Sequence, residues 1–195
     1  MGAAFNLVPH SPSSEETRIL KDLHVAHTAL IKDRTRLRNR AQTQGIAVLK
    51  RQTKARLAQA ERQIAELDAE IAALIARHEA TARNSDILCS IERFGKITAA
   101  AVLALMPEIG GLGRKQVACL AGLAPATRQS GQWQGKAFIQ GGRKPLRDAL
   151  YLPALVAMRF NPDLKAKYHQ LRAAGKPAKV AIVACIGKTV SQTVF

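Results

Sequence analysis

Residues 57–74 read LAQAERQIAELDAEIAAL. Leu57, Ala60, Ile64, Leu67, Ile71 and Leu74 recur at alternating steps of three and four. That spacing places all six on one stripe of an α-helix, the a/d pattern of a coiled coil carried over roughly three heptads. The stripe predicts a long helix that buries one side against another helix. Upstream, Ile19, Leu23, Ala26, Leu30 and Leu37 make a second stripe, and Gly45 is the weak point between the two. The pair reads as a long helical hairpin or a dimerising coiled coil; a plain packed helix pair fits the spacing equally. Ser13 with Glu16 three residues later forms a capping box that starts the first helix. Residues 1–12 then read as a leader, and residues 13–82 as the hairpin or coiled coil.

The chain has 195 residues and a net charge of +16. Such an excess implies an anionic partner, nucleic acid first. A membrane surface fits less well, because the cations do not back a continuous bulky apolar face. With one Trp and two Tyr, the chain lacks the rings of a single-strand stacking platform. Cys89, Cys119 and Cys185 are far apart and lack metal-ligand spacing with His, so they read as reduced thiols and zinc is not expected. No secretory layout and no bilayer-spanning apolar run occur, which makes a cytoplasmic protein the expectation. On the first helix, Lys32, Arg34, Arg36, Arg38 and Arg40 alternate by two. That spacing spreads charge around a helical cylinder, leaving part of the run solvated and part free to touch phosphate.

Thr81–Ser85 reads as a break. Beyond it, residues 86–195 predict a compact helical domain. Short helices over Ile87–Ile91 and Ala99–Met106 flank the turn Phe94-Gly95-Lys96-Ile97-Thr98. The turn is similar to a helix-hairpin-helix element, with Glu92-Arg93 in place of the usual Pro-Gly. In such a turn the glycine lets the backbone approach a phosphate, and the next helix start offers N–H groups to it. Gly95, Lys96 and Thr98 are therefore candidate phosphate contacts; an ordinary glycine-capped turn is the plainer reading. Helices follow over Gln116–Leu123, Leu146–Phe160 with Pro153 as a kink, Leu164–Ala174 and Ala178–Ile186. Between the first two of these, Pro125–Gly142 predicts an irregular or β-hairpin basic loop. The fold class is mostly α.

From Ile109 to Arg147 the chain holds Arg114, Lys115, Arg128, Lys136, Arg143, Lys144 and Arg147 and no Asp or Glu. Ser130-Gly131 sits within this one-sign field. A serine hydroxyl is a weak nucleophile that needs a base or cations to stabilise the alkoxide and transition state. Arg128, Arg143 and Arg147 suit phosphate oxygens as forks, and Lys136 and Lys144 as point charges. No His lies in the loop to form a triad, and no carboxylate to hold Mg²⁺. On spacing and charge alone, Ser130 reads first as a turn residue, and Ser-Gly by itself is a weak signal.

A set of ordered motifs raises the nucleophile reading above the turn reading. Phe94–Ala100, Lys115-Gln116-Val117-Ala118, Ala121–Pro125, Gln129-Ser130-Gly131, Gly141-Gly142, Leu146–Leu150 and Gly175–Lys179 together resemble the bacterial insertion-sequence transposases related to the Piv DNA invertase (the "one-ten" family, DEDD type). The resemblance covers about Ile87 to Lys188 and implies a C-terminal transposase domain with Ser130 as the catalytic nucleophile that links to DNA. It also implies a preceding coiled coil that makes homo-oligomers, and an N-terminal RuvC-like domain that holds Mg²⁺ on four acidic residues. DNA is the implied partner, with a structured guide (bridge) RNA in some members. The acidic motif has no counterpart here, and Gly187 stands before Lys188 where the family has a basic residue. The sequence thus reads as a truncated copy or a piece of a longer protein, inactive alone. A non-catalytic nucleic-acid module and a regulator that pairs with the full-length transposase are the alternatives.

Overall fold

Two long helices set the frame. In the computed structural model, described over residues 15–91, 94–109, 111–126, 129–130, 133–134 and 138–193, α1 spans Glu15–Thr43 and α2 spans Ala47–Ala76. They turn at residues 44–46, around Gly45, and run antiparallel. Arg38 Nη2 to Glu61 Oε1 (2.9 Å), His27 Nε2 to Asp68 Oδ1 (3.1 Å) and Glu16 to His78 tie the arms together. On α2 the sequence stripe is the packed one: Ala60, Ile64, Ile71 and Leu74 are buried, with Leu57 and Leu67 half-buried. The stripe is thus consumed inside the chain's own hairpin.

On α1 the buried line differs from the expected one. Ile19 is 44% exposed and Ala26 is exposed, while Leu20, His24 and His27 are buried. The hairpin interface takes two histidines into its core, one beside Asp68, and an apolar count has no way to score a histidine as buried. Ser13 of the expected capping box lies outside the described residues.

The expected break at Thr81–Ser85 is a helix instead. α3 spans Glu79–Cys89, and the chain turns earlier, where His78 is extended (φ −121°) before Glu79. An acidic first residue suits a helix N-terminus, and polar residues at 81–85 are tolerated because that side meets solvent only in part.

α4 (Lys96–Leu105) is the hub, packing against α1, α2, α3 and α6. Ala99, Ala100 and Val102 are at most 2% exposed; small side chains let neighbouring backbones come close. α5 (Arg114–Leu120) follows, then two antiparallel two-residue ladders, β1 (Pro125–Ala126) with β4 (Phe138–Ile139) and β2 (Gln129–Ser130) with β3 (Trp133–Gln134). The expected hairpin in the basic loop is therefore present. Two residues separate the ladders on the outgoing side and three on the return, so the register advances by one between them.

α6 (Lys144–Phe160) continues through Pro153. Asn161 caps α7 (Pro162–Ala173), its Oδ1 accepting from the N–H groups of Asp163 and Leu164 at 3.0 and 3.1 Å. Gly175 (φ +77°) ends the turn before α8 (Ala178–Thr193). Leu146, Leu150 and Ala154 on α6 and Cys185 and Ile186 on α8 are fully buried with α4 in one core.

A glycine-clamped flap as the candidate functional site

The flap of β1–β4 leaves the helical domain at Gly122 and returns at Gly142. Both glycines have positive φ (+65° and +70°), and their backbones touch. A Cβ on Gly142 would lie 2.3 Å from the Cα and N of Gly122; one on Gly122 would lie 2.6 Å from the Gly141 carbonyl. Only glycine at both positions permits this crossing. The Arg143 N–H donates to the Leu120 carbonyl at 2.7 Å, closing the crossing from the helix side.

Two of the expected phosphate clamps take part in this joint. Arg147 Nη1 donates to the Gly122 carbonyl (3.0 Å) and the Gly141 carbonyl (3.4 Å), so its guanidinium bridges the two legs of the flap. Arg143 forks onto Glu108 at 2.7 and 2.8 Å and donates to the Leu105 carbonyl at 2.7 Å. It thereby ties the start of α6 to the C-terminal end of α4, and hydrogen bonding to Glu108 raises its pKa above the ordinary guanidinium value. Lys144 pairs with Asp148 one turn on, at the surface. Sequence reasoning missed Glu108, which stands one residue outside the acid-free window. The Gly122–Gly142 contact had only the doubled glycine of 141–142 as its signal.

Ser130 lies in β2, paired with Trp133 across the second ladder, beyond the clamped base. Its side chain lies outside the described part, as does that of Arg114, the first residue of α5. Arg128 and Lys136 fall on residues outside the described set. Lys115 is exposed on the first turn of α5.

Gly95, Lys96 and Thr98 stand elsewhere. Gly95 is the N-cap of α4 with open space where a Cβ would be, and Lys96 is exposed. The flap base meets the other end of α4, through Leu105 and Glu108, so helix rise puts the two groups roughly 15 Å apart. The structure thus joins Arg143, Lys144 and Arg147 at one end of α4 and separates them from the helix-hairpin-helix-like turn at the other. Among the described residues, no group of three or more His, Cys, Asp or Glu could hold a metal ion, and no helix is long and apolar enough to cross a membrane.

Residues 85–169, which contain both ends of α4 and the whole flap, match the family model described as the IS116/IS110/IS902 transposase family. The chain is similar to the uncharacterized 43.6 kDa protein of insertion element IS110 from Streptomyces coelicolor, 32% identical over 119 residues, 60% of this chain and 28% of that protein. It is also similar to the uncharacterized 42 kDa protein of insertion element IS900 from Mycobacterium paratuberculosis, 35% identical over 129 residues, 63% of this chain and 30% of that protein. The matched part spans less than a third of the length of either relative. Residues 85–169 thus carry the likeness of the chain to the IS116/IS110/IS902 transposase family.

Proposed function

We propose that this chain is the strand-joining portion of an insertion-sequence transposase, holding DNA at its basic flap and presenting Ser130 as the nucleophile. The observation that carries the reading is the clamped flap. Ser130 sits on a paired strand whose base is fixed by Gly122, Gly142 and Arg147, so the serine backbone has a defined position relative to the helical domain. In the reaction, the Ser130 oxygen bonds to phosphorus, the bond from phosphorus to the leaving sugar oxygen breaks, and that oxygen takes up a proton. The serine proton passes to a base. Fixed positive charge near such a centre is worth about 3 kcal/mol per donor, and Lys115, Arg128 and Lys136 are the cations assigned to it. The Mg²⁺ of the family resemblance finds no donor set among the described residues.

The test is a covalent trap. Labelled DNA carrying the element's ends is incubated with the full chain, with and without a RuvC-like domain in trans, and run under denaturing conditions. A protein–DNA adduct that disappears in Ser130→Ala, with affinity changed less than twofold, supports the reading; an adduct that persists in Ser130→Ala overturns it. A second reading, a nucleic-acid-binding module without chemistry, draws on the engagement of Arg143 and Arg147 within the protein. It predicts undiminished affinity and no adduct from the unaltered chain under any condition.

A further inference from the structure

Folding back of α2 on α1 brings two basic runs together. Residues 32–62, the far half of the hairpin, hold ten Lys or Arg against Asp33 and Glu61, a net +8 and half the charge of the whole chain. Both acids are already engaged, Asp33 with Arg36 and Glu61 with Arg38. The remaining eight cations have no carboxylate partner among the described residues. The near half, residues 15–31 and 63–79, holds three cations against seven acids. The hairpin is thus polarised along its length, a distribution that the sequence run on α1 alone does not reveal.

The cations are also arrayed. Lys32, Arg36 and Arg40 are exposed and four residues apart, so they form one row with about 6 Å per step on the outer side of α1. Arg51, Lys54 and Arg62 are exposed on α2, away from its buried Ala60–Ile64 side. Inside, the tip is thinly packed. Thr53 and Ala60 are its buried residues, and the buried Arg34 Nε and Gln44 Oε1 make no hydrogen bond. Like charges held this close oppose one another, and an external polyanion relieves that repulsion.

We propose that the hairpin tip is a second nucleic-acid site, one that grips the sugar-phosphate backbone of a duplex independently of Ser130. A duplex fits better than a lipid surface, because the cations follow two helix sides for about 12 Å on α1 and about 16 Å on α2, whereas the exposed large apolar residues of the tip are confined to Ile46, Val48 and Leu49 at the turn.

The test uses the full chain and 30-base-pair DNA and RNA duplexes, with affinity measured by fluorescence anisotropy across a salt series. Two triple variants, Lys32→Gln/Arg36→Gln/Arg40→Gln and Arg51→Gln/Lys54→Gln/Arg62→Gln, are compared with Lys165→Gln/Lys167→Gln/Lys179→Gln, which removes equal charge from α7 and α8. Each tip variant should weaken binding about tenfold or more at physiological salt and flatten the DNA salt slope by up to about 2.7, at about 0.9 per lost phosphate contact. The DNA and RNA arms tell which duplex it prefers. Equal losses in the control variant, unchanged slopes in the tip variants, or tighter binding to anionic phospholipid vesicles than to either duplex would overturn the proposal. Hydrogen exchange of residues 32–62 in the unaltered chain gives a second readout: duplex should slow it, and unchanged exchange counts against the site. Loss of the Ser130 adduct leaves all of these outcomes untouched.

Discussion

At the scale of single residues, the decisive positions are two glycines and two arginines. Gly122 and Gly142 sit in backbone contact with positive φ, so a methyl group meets both a steric wall and an unfavourable backbone region. Gly141 and Gly175 share the positive φ but have nothing within 4 Å of an added Cβ. Gly141→Ala and Gly175→Ala should therefore cost about 1–2 kcal/mol, the left-handed backbone term alone. Gly142→Ala should cost more, about 3 kcal/mol or above, as overlap adds to that term. Urea unfolding midpoints compare them directly; equal losses at 141 and 142 would refute the clamp. The doubled glycine was legible in the sequence, but its contact with Gly122, twenty residues away, was not. The same holds for Arg143 and Arg147. Residue type and local charge marked them as cations for a ligand, while the Glu108 carboxylate that takes both arms of Arg143 and the Gly122 carbonyl that accepts from Arg147 Nη1 come from distant parts of the chain.

At the scale of elements, periodicity carried furthest where one side of a helix was purely apolar. The α2 stripe is buried as spaced, because Ile and Leu at those steps have no other way to leave water. On α1 the stripe held only in part: Leu23, Leu30 and Leu37 are half-buried, but Ile19 and Ala26 are exposed while His24 and His27 occupy core positions. Burial disfavours the charged form of His24, and the neighbouring His27 adds to the effect, so its pKa is lowered from the ordinary 6.5. The unfolded chain binds that proton more readily than the folded one. Stability should thus be unaffected by His24 above about pH 6.5 and fall as pH drops below it. Replacing His24 by Leu should flatten this fall in chemical denaturation between pH 7 and 5; an unchanged pH profile would contradict the buried placement. The shift of the helix break from Thr81–Ser85 to His78 has a related cause. Polar residues suggested a loop, but a half-exposed helix side accepts them.

At the scale of the molecule, one core runs from the near end of the hairpin into the helical domain. Leu20, Ile71, Leu74 and Ile75 join Val102, Leu103 and Leu150 in it. Hairpin base and domain should therefore unfold together, in a single calorimetric transition with calorimetric and van't Hoff enthalpies in agreement. Two resolved transitions would show that the hairpin folds apart from the domain. The tip lies beyond this core and carries unbalanced charge, so its amides should exchange first in the absence of a polyanion.

The sequence by itself determined the helical class, two long helices separated near Gly45, a turn-rich basic segment between helices, and ordered motifs that resemble a transposase family. These features rest on local periodicity, turn chemistry and residue order, which are complete within short windows of chain. Tertiary structure alone decided which arginines are tied into the flap joint, which histidines are buried, and that half the net charge gathers at one end of the hairpin. Each of these depends on groups far apart in the chain being brought into contact, and the range of Coulomb forces and hydrogen bonds is set by distance in space.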